Sequence, residues 1–520
     1  MIKGFLTVGS WTLLSRVLGF VRDILIARFL GTGAAAEAFF VAFSLPNMFR
    51  RFFAEGAFNM AFVPLYAKKL EDPDEDADAF ARDAVAMMVV VLTAFTVLGI
   101  VFMPALVLAM ASGFVEDARF TLAVTYGRIA FPYILLISLG ALVCGVLNAN
   151  GRFLAAAAAP ALLNIAFIVA LTLVALNPSL IPLATPVPEL IYGEALIWTV
   201  PFGGALQLGL VLWAAHRAGH RLIPRRLPRI TPELKRLAVI AAPAALAGGV
   251  VQVNMLVGRQ VASYFDGAVA WLSYADRLYQ LPLGVVGIAI GVVLLPDLSR
   301  RVRSGDTQGQ RNAYSRAAEF SLLLTVPSAV ALLVVPGTLV SVLFERGAFD
   351  ADDTAHTALA LMIYALGLPA FVLQKVLQPL FFAREDTRTP LRYALVSLVV
   401  NAGVAIGLAP FIGFAAAALG TTLAAWAMVL LLWLGVRGMG EVARLDDRAR
   451  RRAGRIVMAS LAMGVVVWAA NVALAPLFSV GLSGVALLIL VATGAVAYFA
   501  IGQGIGALRL AELRGALRRG

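Results

Sequence analysis

The chain has 520 residues, of which 61% are hydrophobic and only 14% charged. A soluble domain runs at about 45–50% apolar and about 25% charged, so a disordered chain, a fibrous chain and an ordinary water-soluble enzyme are excluded. Yet 42 Lys+Arg stand against 30 Asp+Glu, a formal net charge of +12, and that positive charge has to be placed on a chain suited to lipid.

A spanning helix needs roughly 20 apolar residues. In chain order, the apolar runs predict spans over residues 5–30, 36–66, 84–111, 119–148, 152–176, 190–215, 237–265, 268–298, 315–344, 356–383, 389–410, 412–436, 453–476 and 479–507. The first run begins like a signal peptide, with Lys3 ahead of an apolar stretch, but Arg16 interrupts it and no A-x-A site follows, so it is read as a retained span. The predicted fold is therefore all-α and polytopic, with fourteen transmembrane helices.

The basic residues test that count, because cytoplasmic connections collect Lys and Arg. They cluster after every even span: Lys68, Lys69 and Arg82; Arg152; a run from Arg217 to Arg236; a run from Arg300 to Arg316; Arg384, Arg388 and Arg392; and a run from Arg437 to Arg455. The tail adds four more, ending at Arg519. The opposite connections are nearly empty, with Arg119 and Arg346 as the exceptions. The alternation puts both termini in the cytoplasm, and a miscounted span would scramble it. A basic balance can also signal nucleic acid, but this hydropathy favours the membrane. Cys144 is the single cysteine, so no intrachain disulfide framework exists. His216, His220 and His356 lie in or beside polar connections, and no Cys/His cluster has metal-site spacing. Neither a metal nor a cofactor is expected.

The chain also repeats. Phe29-x-Gly31 followed by Leu45-Pro46 recurs as Phe265-x-Gly267 followed by Leu281-Pro282. Pro64 and Pro104 recur as Pro296 and Pro336, and Pro132 and Asn164 as Pro369 and Asn401, always at an offset of 232 to 237. That ordered offset argues for duplication of a six-helix unit. Six spans is an even number, so the copies share one orientation, as in parallel-repeat transporters with a site where the halves meet. The expected organisation is a first lobe over 1–220, a second over 221–448, and two additional helices with a basic tail over 449–520.

Of the charges inside the predicted spans, those of spans one, two, seven, eight and ten stand out. Span one carries Arg16, Arg22 and Asp23; span two carries Glu37, Arg50, Arg51 and Glu55; span seven carries Arg259; span eight carries Asp276 and Arg277; span ten carries Lys375. An arginine at a helix centre costs about 2.5–3.5 kcal/mol on insertion scales, so such charges face a wet cavity or a partner. At about 1.5 Å per residue, Arg16 lies about 16 Å into span one and Arg277 about 14 Å into span eight, near the midplane of a core about 30 Å thick. Arg22 lies about 9 Å further outward, and Arg50 about 20 Å from the outer end of span two. Arg51 with Glu55 at i,i+4 fits a simple neighbouring pair. Arg28 is expected to snorkel at the outer surface, and Lys375 either snorkels or lines a second cavity. Arg16, Arg22, Arg50 and Arg277 outnumber Asp23 and Asp276, which points to a basic cavity. Arginine's planar fork suits phosphate or carboxylate, and a pyrophosphate-linked lipid would supply two phosphates with an apolar tail. Pro46 and Pro282 interrupt helical hydrogen bonding at matched places, where a transporter helix can bend.

These charges sit in the strings SRVLGFVRD (15–23), AFFVAFSLPNMFRRFFAEGAFNMAFVP (38–64), FPYILLISL (131–139) and YADRLYQLP (274–282). On them the chain resembles, over nearly its whole length, the lipid II flippase (MurJ, or MviN) family of the multidrug/oligosaccharidyl-lipid/polysaccharide (MOP) exporter superfamily. The resemblance implies a bacterial inner-membrane protein of cell-wall synthesis, and so of cell shape. It would move the undecaprenyl-pyrophosphate-linked peptidoglycan precursor, lipid II, to the outer leaflet by alternating access. It implies that Arg16, Arg22, Arg50 and Arg277 line the central cavity, and that the acid at Glu37 matters for function. Lipid II, membrane lipids and cell-wall synthesis proteins are the implied partners, and nucleic acid is not. The chain has Gln280 where some members carry an acid after the ADRL string. It also has no Asp or Glu in 237–265 or 389–410, where some members bind sodium, so no such sodium site is expected.

Three other readings compete. A flippase for another polyprenyl-linked polysaccharide would share most of these features. A multidrug cation exporter of the same superfamily would want intramembrane carboxylates, against the arginine excess. A membrane enzyme on polyprenyl phosphates would need the acidic run EDPDEDADAF (71–80) to hold magnesium, but that run reads more simply as a solvated connection. No GxSxG, Walker A or HExxH string is present, so hydrolase and ATPase chemistry lack support.

Overall fold

The computed structural model describes all residues except 1, 51–56, 73–75, 182–186, 225, 227–230, 233, 238, 240–251, 253, 255, 480 and 509–520. The described chain is helical, without a sheet. Its main helices are α1 (Ile2–Leu30), α2 (Ala34–Arg50), α3 (Ala57–Glu71), α4 (Ala77–Val101), α5 (Met103–Met110), α6 (Ala118–Ala130), α7 (Tyr133–Ala149), α8 (Leu154–Leu176) and α9 (Pro188–Arg217). They continue as α10 (Ala268–Arg303), α11 (Thr307–Val334), α12 (Pro336–Phe344), α13 (Ala351–Phe382), α14 (Arg388–Ile412), α15 (Ala415–Val436), α16 (Asp447–Ala473), α17 (Ala475–Ser479) and α18 (Ser483–Gly504).

Ten stretches among the described residues are long and apolar enough to cross a membrane, from 77–101 to 483–504. They match the expected spans three to six and nine to fourteen. Spans one and eight are helices carrying the intramembrane charges, span two is described as α2 and α3, and most of span seven lies outside the described residues. The chain is a polytopic membrane protein.

The repeated motifs are structural punctuation. Gly31 and Gly267 both have positive φ, +58° and +78°, a left-handed conformation that glycine adopts without a Cβ penalty; Gly31 follows the end of α1 and Gly267 precedes the start of α10. The helix of span three stops at Phe102 and restarts as α5 with Pro104 in its first turn. Span nine likewise stops at Val335 and restarts as α12 at Pro336. Proline lacks the N–H that an interior position must donate, but a first turn does not need it. Asp76 and Asp306 cap α4 and α11, each accepting a backbone N–H at 2.8 Å. Pro46 and Pro282, by contrast, sit inside continuous helices.

The chain divides into two compact units, residues 1–270 with 346–349, and residues 271–345 with 350–520. In the first, α1 packs along α8, α8 on α9, α2 on α6 and α7 on α9. In the second, α14 packs on α15, α13 on α15, α11 on α13, and α16 on both α11 and α18. The pairing of spans four with six and five with six therefore recurs as ten with twelve and eleven with twelve.

Candidate functional site

Arg16 projects from α1 and is exposed. Arg22, less than two turns further on, is 8% exposed and Asp23 is 5% exposed. The Arg22 Nε and Nη2 donate to Asp23 Oδ1 at 3.0 and 2.6 Å, and Nη1 donates to Asn164 Oδ1 at 2.9 Å. Its guanidinium lies over the Phe167 ring, 5.6 Å from the centroid. Asn164 returns a bond from Nδ2 to the Ser15 carbonyl at 2.9 Å. Arg22 is thus held by a neighbouring acid and by α8, which leaves one face of the fork committed and its orientation fixed. A buried charge needs such partners to be retained.

Arg50 closes α2 and is half-buried. Arg51 and Glu55, the expected i,i+4 pair, lie outside the described residues. Arg259 is half-buried in the helical residues 256–262. In the second unit, Arg277 is exposed and Asp276 half-buried on α10. The Gln280 side chain donates to Asp276, one turn back on the same helix. Lys375 is exposed on α13.

Glu37 has a different setting. It is 1% exposed; its Oε2 accepts from Arg119 Nη1 at 2.8 Å and its Oε1 from the Val269 N–H at 3.0 Å. Arg119 also binds Asp117 at 2.6 Å and Asp266 at 2.9 Å. In the connection, burial raises the Asp117 carboxyl, but the Arg119 side-chain and backbone donors more than offset this and hold it below the usual range. Asp117 is a local partner of Arg119, but Glu37 and Asp266 are 82 and 147 residues away in sequence, beyond any local pattern; the one signal of Arg119 was that it breaks the charge alternation. Asn164 was legible only as a repeated polar residue in an apolar span.

Charges on the basic connections are also organised. Glu319 receives Arg316, Arg448 and Arg452, and Arg316 also reaches Asp446. Burial raises the Asp446 carboxyl, while the Ala449 N–H at 2.7 Å and Arg316 pull it below its ordinary value. In the acidic run, Asp76 caps α4 and binds Arg82 at 3.2 Å, and Asp78 bonds His220 at 2.9 Å. Asp76 and Asp78 thus serve the connection itself.

Residues 26–491 match the family model described as lipid II flippase MurJ. A probable lipid II flippase MurJ of Rhizobium meliloti (strain 1021) is 43% identical over 527 residues, covering 100% of this chain and 97% of the relative. The lipid II flippase MurJ of Burkholderia cenocepacia is 38% identical, covering 85% of this chain and 84% of the relative. A solved structure of lipid II flippase MurJ in an inward closed conformation has a TM-score of 0.78 at 24% identity, covering 95% of this chain and 97% of its own. An inward-facing multidrug MATE transporter of the MOP superfamily has a TM-score of 0.64 at 14% identity, covering 84% and 97%.

Proposed function

The chain belongs to the lipid II flippase MurJ family, and from that membership we propose that it moves lipid II from the inner to the outer leaflet of the bacterial cytoplasmic membrane. In this reading, Arg16, Arg22, Arg50 and Arg277 bind the pyrophosphate headgroup in a cavity that opens to each side in turn. Asp23, Glu37, Arg51, Glu55, Asp276 and Arg259 tune that cavity, and Pro46 and Pro282 let α2 and α10 flex. The two six-helix lobes, 1–220 and 221–448, move against each other, and the helices of 449–520 serve the long tail. Both termini are cytoplasmic, and the protein transports without catalysing a covalent change.

The observation that carries this reading is the arginine excess at depths where charge is costly. Each such side chain costs a few kcal/mol to insert, and a pyrophosphate headgroup offsets that cost while its tail remains in lipid. Arg16 and Arg277, both exposed, support it most directly, beside the buried and positioned Arg22. The Arg22 fork is pre-oriented by Asp23 and Asn164, which lowers the entropy lost when an anion is bound. A cation exporter would want the opposite sign. Each charge carried through the field is worth about 2.3 kcal/mol per 100 mV, so the reading includes coupling to the membrane potential. The test is depletion of the protein followed by assay of precursor accessible in the outer leaflet. Accessibility should fall to background; unchanged exposure would sink the proposal.

A further inference from the structure

Arg119 breaks the charge alternation, since it lies on the side from which Lys and Arg are otherwise nearly absent. Its surroundings give a physical reason. The side chain is 9% exposed and meets three carboxylates, Glu37, Asp117 and Asp266, at 2.8, 2.6 and 2.9 Å. The five donors of a guanidinium allow this, where a lysine ammonium would not hold the same fork. Its face lies over Phe114, 4.5 Å from the ring centroid. The second oxygen of Glu37 accepts the Val269 N–H, one of the N-terminal donors of α10 that has no partner within its own helix. Four segments of the first unit therefore converge: α2, the turn before α6, residues 266–267 and the first turn of α10.

The same end of this unit carries a glycine turn seated without spare room. The Ser112 and Gly113 N–H groups donate to Gln260 Oε1 and Ser263 Oγ at 3.2 and 3.0 Å, and a Cβ on Gly113 would lie 2.5 Å from the Ser263 backbone. The segment between α5 and α6 is thereby fixed to residues 260–264, beside the network.

We infer that Arg119 is the positioning residue of an outer latch, which holds α2 and α6 to the start of α10 and releases that start when the outer side opens. The inference rests on the transport reading above and names a residue that serves it. The bonds differ in cost. Glu37 and Arg119 are both buried, and separating them would strand a charge. Asp266 is 92% exposed, and an exposed carboxylate is rehydrated at little cost. Opening therefore breaks Asp266 from Arg119 and the Val269 N–H from Glu37. The Glu37–Arg119 pair stays intact and travels with α2 and α6.

The test is amide hydrogen exchange on the full-length protein in lipid nanodiscs, read at Val269 and, as a control, at Gly309, whose N–H is capped by Asp306 on another element. Arg119→Ala is expected to speed exchange at Val269 by about a hundredfold or more, and Asp266→Asn by about two- to fivefold, both with Gly309 unchanged. Asp266→Asn should also change the rate of precursor translocation. Should Arg119→Ala fail to fold, Asp266→Asn, a substitution at an exposed side chain, decides. Unchanged exchange at Val269, or an equal rise at Gly309, would overturn the latch. The exchange readout needs no substrate, so a wild-type protein that moves no precursor would refute the transport reading and leave the latch result standing.

Discussion

Arg119 and Arg16 are the same residue type in the same half of the chain, and their surroundings are opposite. Arg119 is buried among three carboxylates within 3 Å. Arg16 is exposed, with no ion pair among the described residues. Arg22 stands between them, buried and tied to Asp23 and Asn164. A charge whose needs are met inside the fold contributes to holding it, whereas one left accessible at depth can serve a ligand. Hydropathy cannot make this distinction, because it counts every arginine alike.

The comparison predicts different signatures for similar substitutions. The largest effect belongs to neutralising Arg16, Arg50 or Arg277. Each alanine variant should lose translocation to background while the protein remains in the membrane, and Arg16→Ala, which removes an exposed side chain with no ion pair among the described residues, should keep a thermal stability in detergent near wild type. Arg22→Ala should lose translocation as well, but should also lower the melting temperature, because removing one partner of a buried pair costs about 3–5 kcal/mol. A stable Arg22→Ala protein would erase the difference drawn here. Asn164→Leu removes one charged hydrogen bond, worth about 1.5–3 kcal/mol. It should reduce transport without abolishing it, since Asp23 still orients the fork.

Smaller effects come from outside the arginine set. Gly31→Ala forces a Cβ to 2.3 Å from the Ala348 carbonyl at φ +58°, and should destabilise by more than about 1 kcal/mol. Asp446 supplies an acid limb. Its carboxyl is depressed in the folded protein, so its contribution is present above its unfolded pKa of about 3.9 and is lost as pH falls through the lower folded value. Asp446→Asn should flatten that part of the stability–pH curve. Neutralising the acidic connection at Glu71 and Asp72 should leave translocation unchanged, which separates transport from a magnesium-dependent enzyme.

Much of the fold was legible because it is dictated by hydropathy and by proline and glycine. Ten expected spans coincide with helices, and Pro104 and Pro336 mark the breaks in spans three and nine. What could not be read is where a proline is tolerated. Span four stops at Phe131 and restarts as α7, while its counterpart runs unbroken through Pro369. The Phe131 ring packs on Gly99 so closely that a Cβ there would lie 2.0 Å away, a tertiary fit with no sequence pattern. The charges of the candidate site were also legible, as rare residues in apolar runs. Their partners were not: Asn164 lies 142 residues from Arg22, and Val269 lies 232 residues from Glu37. Such contacts are set by helix packing, and the repeat and the charge exception at Arg119 were their only traces.

The central claim is that accessible intramembrane arginines carry a lipid-linked pyrophosphate across the bilayer. It is tested most directly by reconstituting the purified protein in liposomes with labelled lipid II and measuring its appearance in the opposite leaflet. Wild type should transfer it, and Arg16→Ala, folded and correctly inserted, should transfer no more than empty liposomes. Equal transfer by Arg16→Ala and wild type would contradict the account.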